Sequence, residues 1–290
     1  MPEGPSRTAE YVATFRAIES VRPESDRLFS DPYAECFIDG VRTFGARVAR
    51  NQLGQKLVCR YIDRNWPGSR PSLVIRTRLI DDAVSAAIDA GAEQLAILGA
   101  GYDTRGLRLP AAKGIRVFEL DQPPTQERKK RLLKQRDGEL PSNVTYVPFD
   151  LLEEGVGAPL ERAGFRAGLK SVYIWEGVLS YLTPEAVDQT LAWVTASGAA
   201  GSRLVFTYID VALLNEGGED EPPWSAQVAK VGEPFRYGLD PAQMDEFLGA
   251  RRLKPIWDLS TAEALEKHPV PGGRNAPDFY RVAEAEVLPG

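Results

Sequence analysis

The feature that most constrains the fold is the run Leu95-Ala96-Ile97-Leu98-Gly99-Ala100-Gly101-Tyr102-Asp103-Thr104-Arg105, an apolar strand delivered straight into a glycine turn. A short, unbroken apolar segment suits a strand covered on both faces, and glycine directly after it lets the backbone approach a ligand closely. About 20 residues beyond the first glycine, Val117-Phe118-Glu119-Leu120-Asp121 reads as a second strand ending in acids, where a doubly wound sheet sets a carboxylate against ribose hydroxyls. Gly99, Ala100, Gly101, Asp103, Glu119 and Asp121 together describe a site for an adenosine-type cofactor.

Strand patterns at 115–120, 144–148, 171–174 and 204–209 alternate with helical or turn-rich sequence. That alternation predicts an α/β fold with a mostly parallel sheet and helices on both faces. Upstream, residues 8–21 place Tyr11, Val12, Phe15 and Ile18 at helical spacing, Asp31-Pro32-Tyr33 opens another helix, and the segment from Trp66 to Pro71 breaks the pattern before an amphipathic helix at 78–90. After residue 209 comes a long irregular connection with Gly217-Gly218, Pro222-Pro223-Trp224 and Phe235-Arg236-Tyr237-Gly238, which reads as a lid or substrate loop. Asp240-Pro241 caps a helix to about Gly249, and residues 254–259 and 278–287 read as final strands around Gly272-Gly273. The expected organisation is a single domain over 1–290: a helical N-terminal lid (1–75), a cofactor-binding core (76–209), a substrate-loop insertion with its helix (210–250) and C-terminal strands (251–290).

The glycine turn also limits the cofactor. A dinucleotide fingerprint wants a third glycine where Thr104 stands, so a pyrophosphate ligand is disfavoured. A cofactor with no phosphate and a zwitterionic amino-acid end, such as S-adenosyl-L-methionine, needs only an open glycine turn and charged partners. Two further strand ends carry acids: Asp150, after 144–148, faces either an adenine amino group or the next helix as its cap, and Glu176 follows Tyr173-Ile174-Trp175.

One histidine in 290 residues, His268 at an expected helix exit, removes the usual general base and with it histidine triads and His-rich metal sites. Cys36 and Cys59 form neither a disulfide framework nor a zinc pattern, so no metal is expected. A net charge of −6 disfavours nucleic acid, and the basic run Arg128-Lys129-Lys130-Arg131 reads as a solvated helix face. No stretch is long and apolar enough to span a bilayer, so no membrane partner is expected, and the first ten residues lack a secretory pattern, which makes the cytoplasm the expected location. A homodimer is compatible with the sequence.

Several ordered motifs resemble the leucine carboxyl methyltransferase family, especially its tetracenomycin-type polyketide carboxyl methyltransferase branch. They are Ser6-Arg7-Thr8-Ala9, Arg16-Ala17-Ile18-Glu19, Leu28-Phe29-Ser30-Asp31-Pro32-Tyr33-Ala34, Arg76-Thr77-Arg78, the stretch 98–109, the stretch 119–123, the stretch 176–182 and Phe279-Tyr280-Arg281. The resemblance implies a class I methyltransferase (Rossmann-like) fold with a seven-stranded, mostly parallel sheet. It also implies that Arg76 pairs with the cofactor carboxylate, Gly99 lines its amino-acid end beside Glu176, Asp121 binds the ribose, and Asp150 and Leu151 frame the adenine. Arg16 falls roughly where the protein-modifying branch has a lysine, which favours a metabolite over a protein terminus as acceptor, with Arg16 and Tyr11 as candidate substrate contacts.

A small-molecule carboxylate is the preferred acceptor, because it is already ionised near neutral pH and needs no base, whereas a phenol needs a base or a lowered pKa. Tyr11, Phe15, Trp224, Phe235 and Tyr237 supply aromatic surface for a flat, apolar substrate, and Tyr181 reads as core. Two readings from other classes are a nicotinamide-dependent oxidoreductase, opposed by Thr104, and a cofactor-binding protein without methyl transfer.

Overall fold

The computed structural model describes residues 4–149, 155–215, 235–271, 273 and 275–290. Within them the expected alternation builds one seven-stranded sheet. Its strands are β1 (Gln94–Leu98), β2 (Arg116–Asp121), β3 (Val144–Pro148), β4 (Ser171–Trp175), β5 (Arg203–Ile209), β6 (Leu253–Ser260) and β7 (Tyr280–Val287), in the order β3-β2-β1-β4-β5-β7-β6. Pairing is parallel from β3 through β5, and β7 runs antiparallel between β5 and β6. The chain winds outward from β1 to β3, then returns to lay β4 against the other side of β1. A reversal of this kind opens a crevice at the carboxyl ends of the two central strands.

Strand alternation feeds two cores. Ala96, Leu98, Tyr173 and Trp175 pack with Leu191 and Val194 of a helix spanning Pro184–Ser197, while Leu95, Ile97, Val172 and Ile174 pack with Ile75, Ile80 and Val84 of α4 (Ser69–Asp89). Every residue of β1 and β4 is buried, which is why their sequences run apolar without alternation.

Before the sheet, α1 (Arg7–Ser20) is capped by Ser6, whose side chain accepts the Ala9 N–H. It buries Ala13 and Ala17 against Phe37, Tyr102 and Leu107, so it lies on the glycine turn. Asp31 caps as expected, its Oδ1 accepting the N–H groups of Tyr33 and Ala34, but the helix it starts is a single 3-10 turn, Ala34–Phe37. Next come α2 (Val41–Val48) and α3 (Gln52–Asn65). The helix expected at 78 already begins at Ser69, because Pro71 sits in its first turn, where a missing N–H costs nothing, and Gly68 takes the left-handed conformation (φ 79°) that the entry requires. Position 76 therefore lies inside α4, and lid and core share one helix.

The helix whose exit was expected at His268 spans Thr261–Lys267, between the last two strands; its start signal, the capping box of Ser260 and Glu263, is present in the sequence. His268 follows it at the surface. Gly217, Gly218, Pro222, Pro223, Trp224 and Gly272 lie outside the described residues, and of the expected substrate loop only its two ends, 210–215 and 235–238, are described.

The basic run also departs from expectation. On a helix over Pro123–Asp137, Lys129 is buried, with Nζ 2.5 Å from Glu119 Oε2 inside the fold. Burial pushes the Glu119 carboxyl up to about 7 against the pull of Lys129. Since the folded value is raised, the stability this group contributes is full below its ordinary value near 4.5 and is lost as pH rises through about 7. Lys129→Met strands the ionised carboxylate, so it should cost about 3–5 kcal/mol at pH 8 and distinctly less at pH 5; urea unfolding at the two pH values measures the difference.

Candidate active site

A cleft of about 1200 Å³ opens at the carboxyl ends of β1 and β4, roofed by α1, α2 and α3. Its floor is the glycine turn. Gly99 (φ 71°) and Gly101 (φ 50°) both adopt left-handed backbone, and a Cβ on Gly99 would sit 2.4 Å from Val178 Cγ2. Ala100 N–H is tied to the Leu120 carbonyl at 2.8 Å, and Gly101 N–H donates to Asp121 Oδ2, which fixes the acid at the end of β2 against the turn.

Behind this floor runs a buried chain of alternating charges. Arg16 Nε meets Asp31 Oδ2 at 2.8 Å, and Asp31 also accepts from Thr104 Oγ1 and lies 3.9 Å from Arg108. Both terminal nitrogens of Arg108 bind Asp81. Asp81 in turn meets Arg105 Nε at 2.8 Å, while Arg105 Nη1 reaches both Asp103 and Glu176 (Oε2, 2.6 Å). Arg76 closes the series, with Nε 2.6 Å from Glu176 Oε1 and Nη1 donating to Tyr280 Oη, which donates to Thr207 Oγ1. Burial alone would raise each carboxyl, but the guanidiniums prevail: Arg105 brings Asp103 down to about 2, Arg105 and Arg76 lower Glu176, and Arg16 and Arg108 lower Asp31.

Among the residues expected from sequence, Tyr11, Arg16, Arg76, Gly99, Ala100, Gly101, Asp103, Asp121 and Glu176 are brought together around this cleft. Glu119 is not: it faces Lys129 in the interior. Asp103 lines the cleft, yet both its carboxylate oxygens are turned to Arg105. Asp150 and Leu151 lie outside the described residues, next to Phe149, which borders the cleft. Tyr237 packs against the core instead of the cleft, and Tyr181, expected in the core, lines the cleft with its ring 5.5 Å from that of Phe235. Sequence reasoning missed Asp31, Asp81, Arg105, Arg108 and Tyr280 as site residues. The two arginines three residues apart directly after the turn were a readable signal of buried charge, but their partner on α4 was not.

The sequence matches the leucine carboxyl methyltransferase family over residues 9–195. A relative from Frankia alni, provisionally named an S-adenosyl-L-methionine-dependent methyltransferase, is 38% identical over 278 residues, covering 96% of this chain and 91% of its own. The chain belongs to that family. Another relative of the same provisional name, from Mycolicibacterium gilvum, is 36% identical over 243 residues, covering 80% of this chain and 73% of its own. A crystal structure from Thermobifida fusca, provisionally described as a methyltransferase, superposes with a TM-score of 0.61 at 18% identity, covering 99% of this chain and 96% of that one. The fold is thus the class I methyltransferase fold that the leucine carboxyl methyltransferase resemblance implied. In this member of the family, the region 9–195 contains every participant of the charge chain except Tyr280 and Thr207, which β7 and β5 supply.

Because Asp31, Asp103 and Glu176 are all lowered, their stabilising contribution is present above the ordinary carboxylate range and is lost as pH falls through their folded values, the lowest near 2. The urea midpoint should therefore fall steeply below pH 4. Arg105→Met removes the shared partner of the buried Asp81 and Asp103 and the partly buried Glu176 and should destabilise by roughly 3–5 kcal/mol at pH 7, read from the same unfolding curves; an unchanged midpoint would separate the network from stability.

Proposed function

We infer that the protein is an S-adenosyl-L-methionine-dependent O-methyltransferase whose acceptor is the carboxylate of a small, polyketide-like metabolite, as in the tetracenomycin-type branch. The observation that carries this reading is the join of the glycine turn with Asp121, beside a cleft that lacks histidine. Gly99 and Gly101 leave the floor open for a nucleoside and its amino-acid end, and Asp121 stands at the strand end where ribose hydroxyls are taken. Arg76 and Glu176 offer opposite charges to the two ends of a zwitterion at the same edge.

When bound, the cofactor supplies an electrophilic methyl group on a sulfonium, which a carboxylate oxygen takes by in-line displacement as the S–CH3 bond breaks, with no proton to remove. The protein's work is then alignment and exclusion of water. Phe15, Tyr11, Tyr181 and Phe235 line the acceptor side, an aromatic wall suited to a flat apolar body. His268, the only histidine, stands at the surface and is not among the cleft residues. A phenol acceptor is the second reading, and it demands a base that the cleft histidine count does not provide. Trp224 remains part of the proposed wall on sequence grounds alone.

Calorimetric titration with S-adenosyl-L-methionine, S-adenosylhomocysteine, NAD and NADP should show binding of the first pair only, weakened at least about tenfold by Asp121→Ala, equivalent to roughly 1.4 kcal/mol. Binding of NAD or NADP instead would overturn the reading. Rates on carboxylate acceptors should stay flat between pH 6 and 9, while rates on phenols that rise about tenfold per pH unit would favour the second reading.

A further inference from the structure

Seven large apolar side chains are exposed among the described residues, and five of them, Val41, Phe44, Leu53, Leu57 and Tyr61, sit on α2 and α3, each between 63% and 86% exposed. Along α3, Leu53, Leu57 and Tyr61 recur every four residues, so they form one stripe, opposite the Cys59 and Ile62 side that packs inward. Lys56, Arg60 and Arg64 fall within the same arc of about 140°. All three are exposed and have no hydrogen-bond or ion-pair partner among the described residues. The acids nearby are each engaged elsewhere: Glu35 by Arg50, Asp63 by Arg70, Asp39 by Arg128 and Glu10 by Arg42.

Residues 41–64 hold six basic side chains and one acid, a formal +5 in a chain of net −6. An exposed apolar stripe flanked by unpaired cations fits a surface that is apolar beneath and anionic on top, the order found at a bilayer with acidic headgroups. We propose that the α2–α3 face docks on an anionic membrane surface. α3 has 14 residues, so it lies along the interface instead of crossing it. Leu57, Tyr61 and Phe44 also line the cleft mouth, so docking presents the acceptor side of the cleft to the membrane. The expectation of no membrane partner rested on the absence of a bilayer-spanning apolar stretch, a criterion that does not register a helix lying along the surface.

The full chain should co-sediment with vesicles containing half phosphatidylglycerol and be released as salt rises, while vesicles of phosphatidylcholine alone retain at least about tenfold less. The triple variant Lys56→Gln, Arg60→Gln, Arg64→Gln should lose about 100-fold in vesicle affinity, and Leu53→Ser should also weaken it; none of these residues lines the cleft, and unchanged circular dichroism and unfolding midpoints confirm folding. Equal retention on both vesicle types, or on neither, overturns the proposal. So does a dimer in sedimentation velocity that Leu53→Ser dissociates in a protein that binds no vesicles, which would give the face to a second copy of the chain.

Discussion

Arg105 is the interaction centre on which the geometry of the cleft depends. Four guanidiniums and four carboxylates alternate from Arg16 to Arg76, and Arg105 alone touches three of the acids. Burying eight charges is expensive, and a buried ion pair is often no more stabilising than apolar groups of the same volume. What the series provides is position. It links α1, the turn at Asp31, α4, the segment after the glycine turn and the end of β4, five elements far apart in sequence, around a single edge of the sheet. Because each charge is neutralised by a neighbour of opposite sign, the cleft can hold charged groups next to a low-dielectric interior without moving a proton of its own.

The sheet order explains why those elements meet there. Reversal between β1 and β4 places Gly99 and Glu176 at adjacent strand ends, and the missing side chain at Gly99 lets Val178 close against the turn. Once β1 and β4 are buried on both faces, their carboxyl ends are the places where polar groups emerge. Helices α1 to α3 then roof the opening, so one segment of chain both covers the glycine turn and forms the apolar mouth.

Legibility followed the range of the interactions. The glycine turn and the acid at the end of β2 are local, and both were readable. Glu119 and Asp121 were not distinguishable, because period-two alternation puts them on the same side of β2; only depth separates them, with Asp121 at the turn and Glu119 beneath the helix that carries Lys129. The basic run looked solvated because nothing in its own sequence shows that one of four cations has a buried partner ten residues upstream. Asp81 and Asp31 were invisible as site residues for the same reason, since their arginines lie 24 or more positions downstream on other elements, or in the case of Arg16 upstream. The start of α4 was misplaced because proline was read as a breaker where it serves as a first-turn residue.

The functional reading joins a floor built for a nucleoside with an amino-acid end to a mouth of aromatic and aliphatic side chains, and a reaction that needs placement more than proton transfer suits both. The most direct test of this account is a crystal structure of the protein with S-adenosylhomocysteine. The account predicts the ribose hydroxyls on the Asp121 carboxylate and the amino-acid end over Gly99, between Arg76 and Glu176, with the Arg105 contacts unchanged. A ligand bound elsewhere, or one that takes Arg105 away from Glu176 and Asp103, would contradict it.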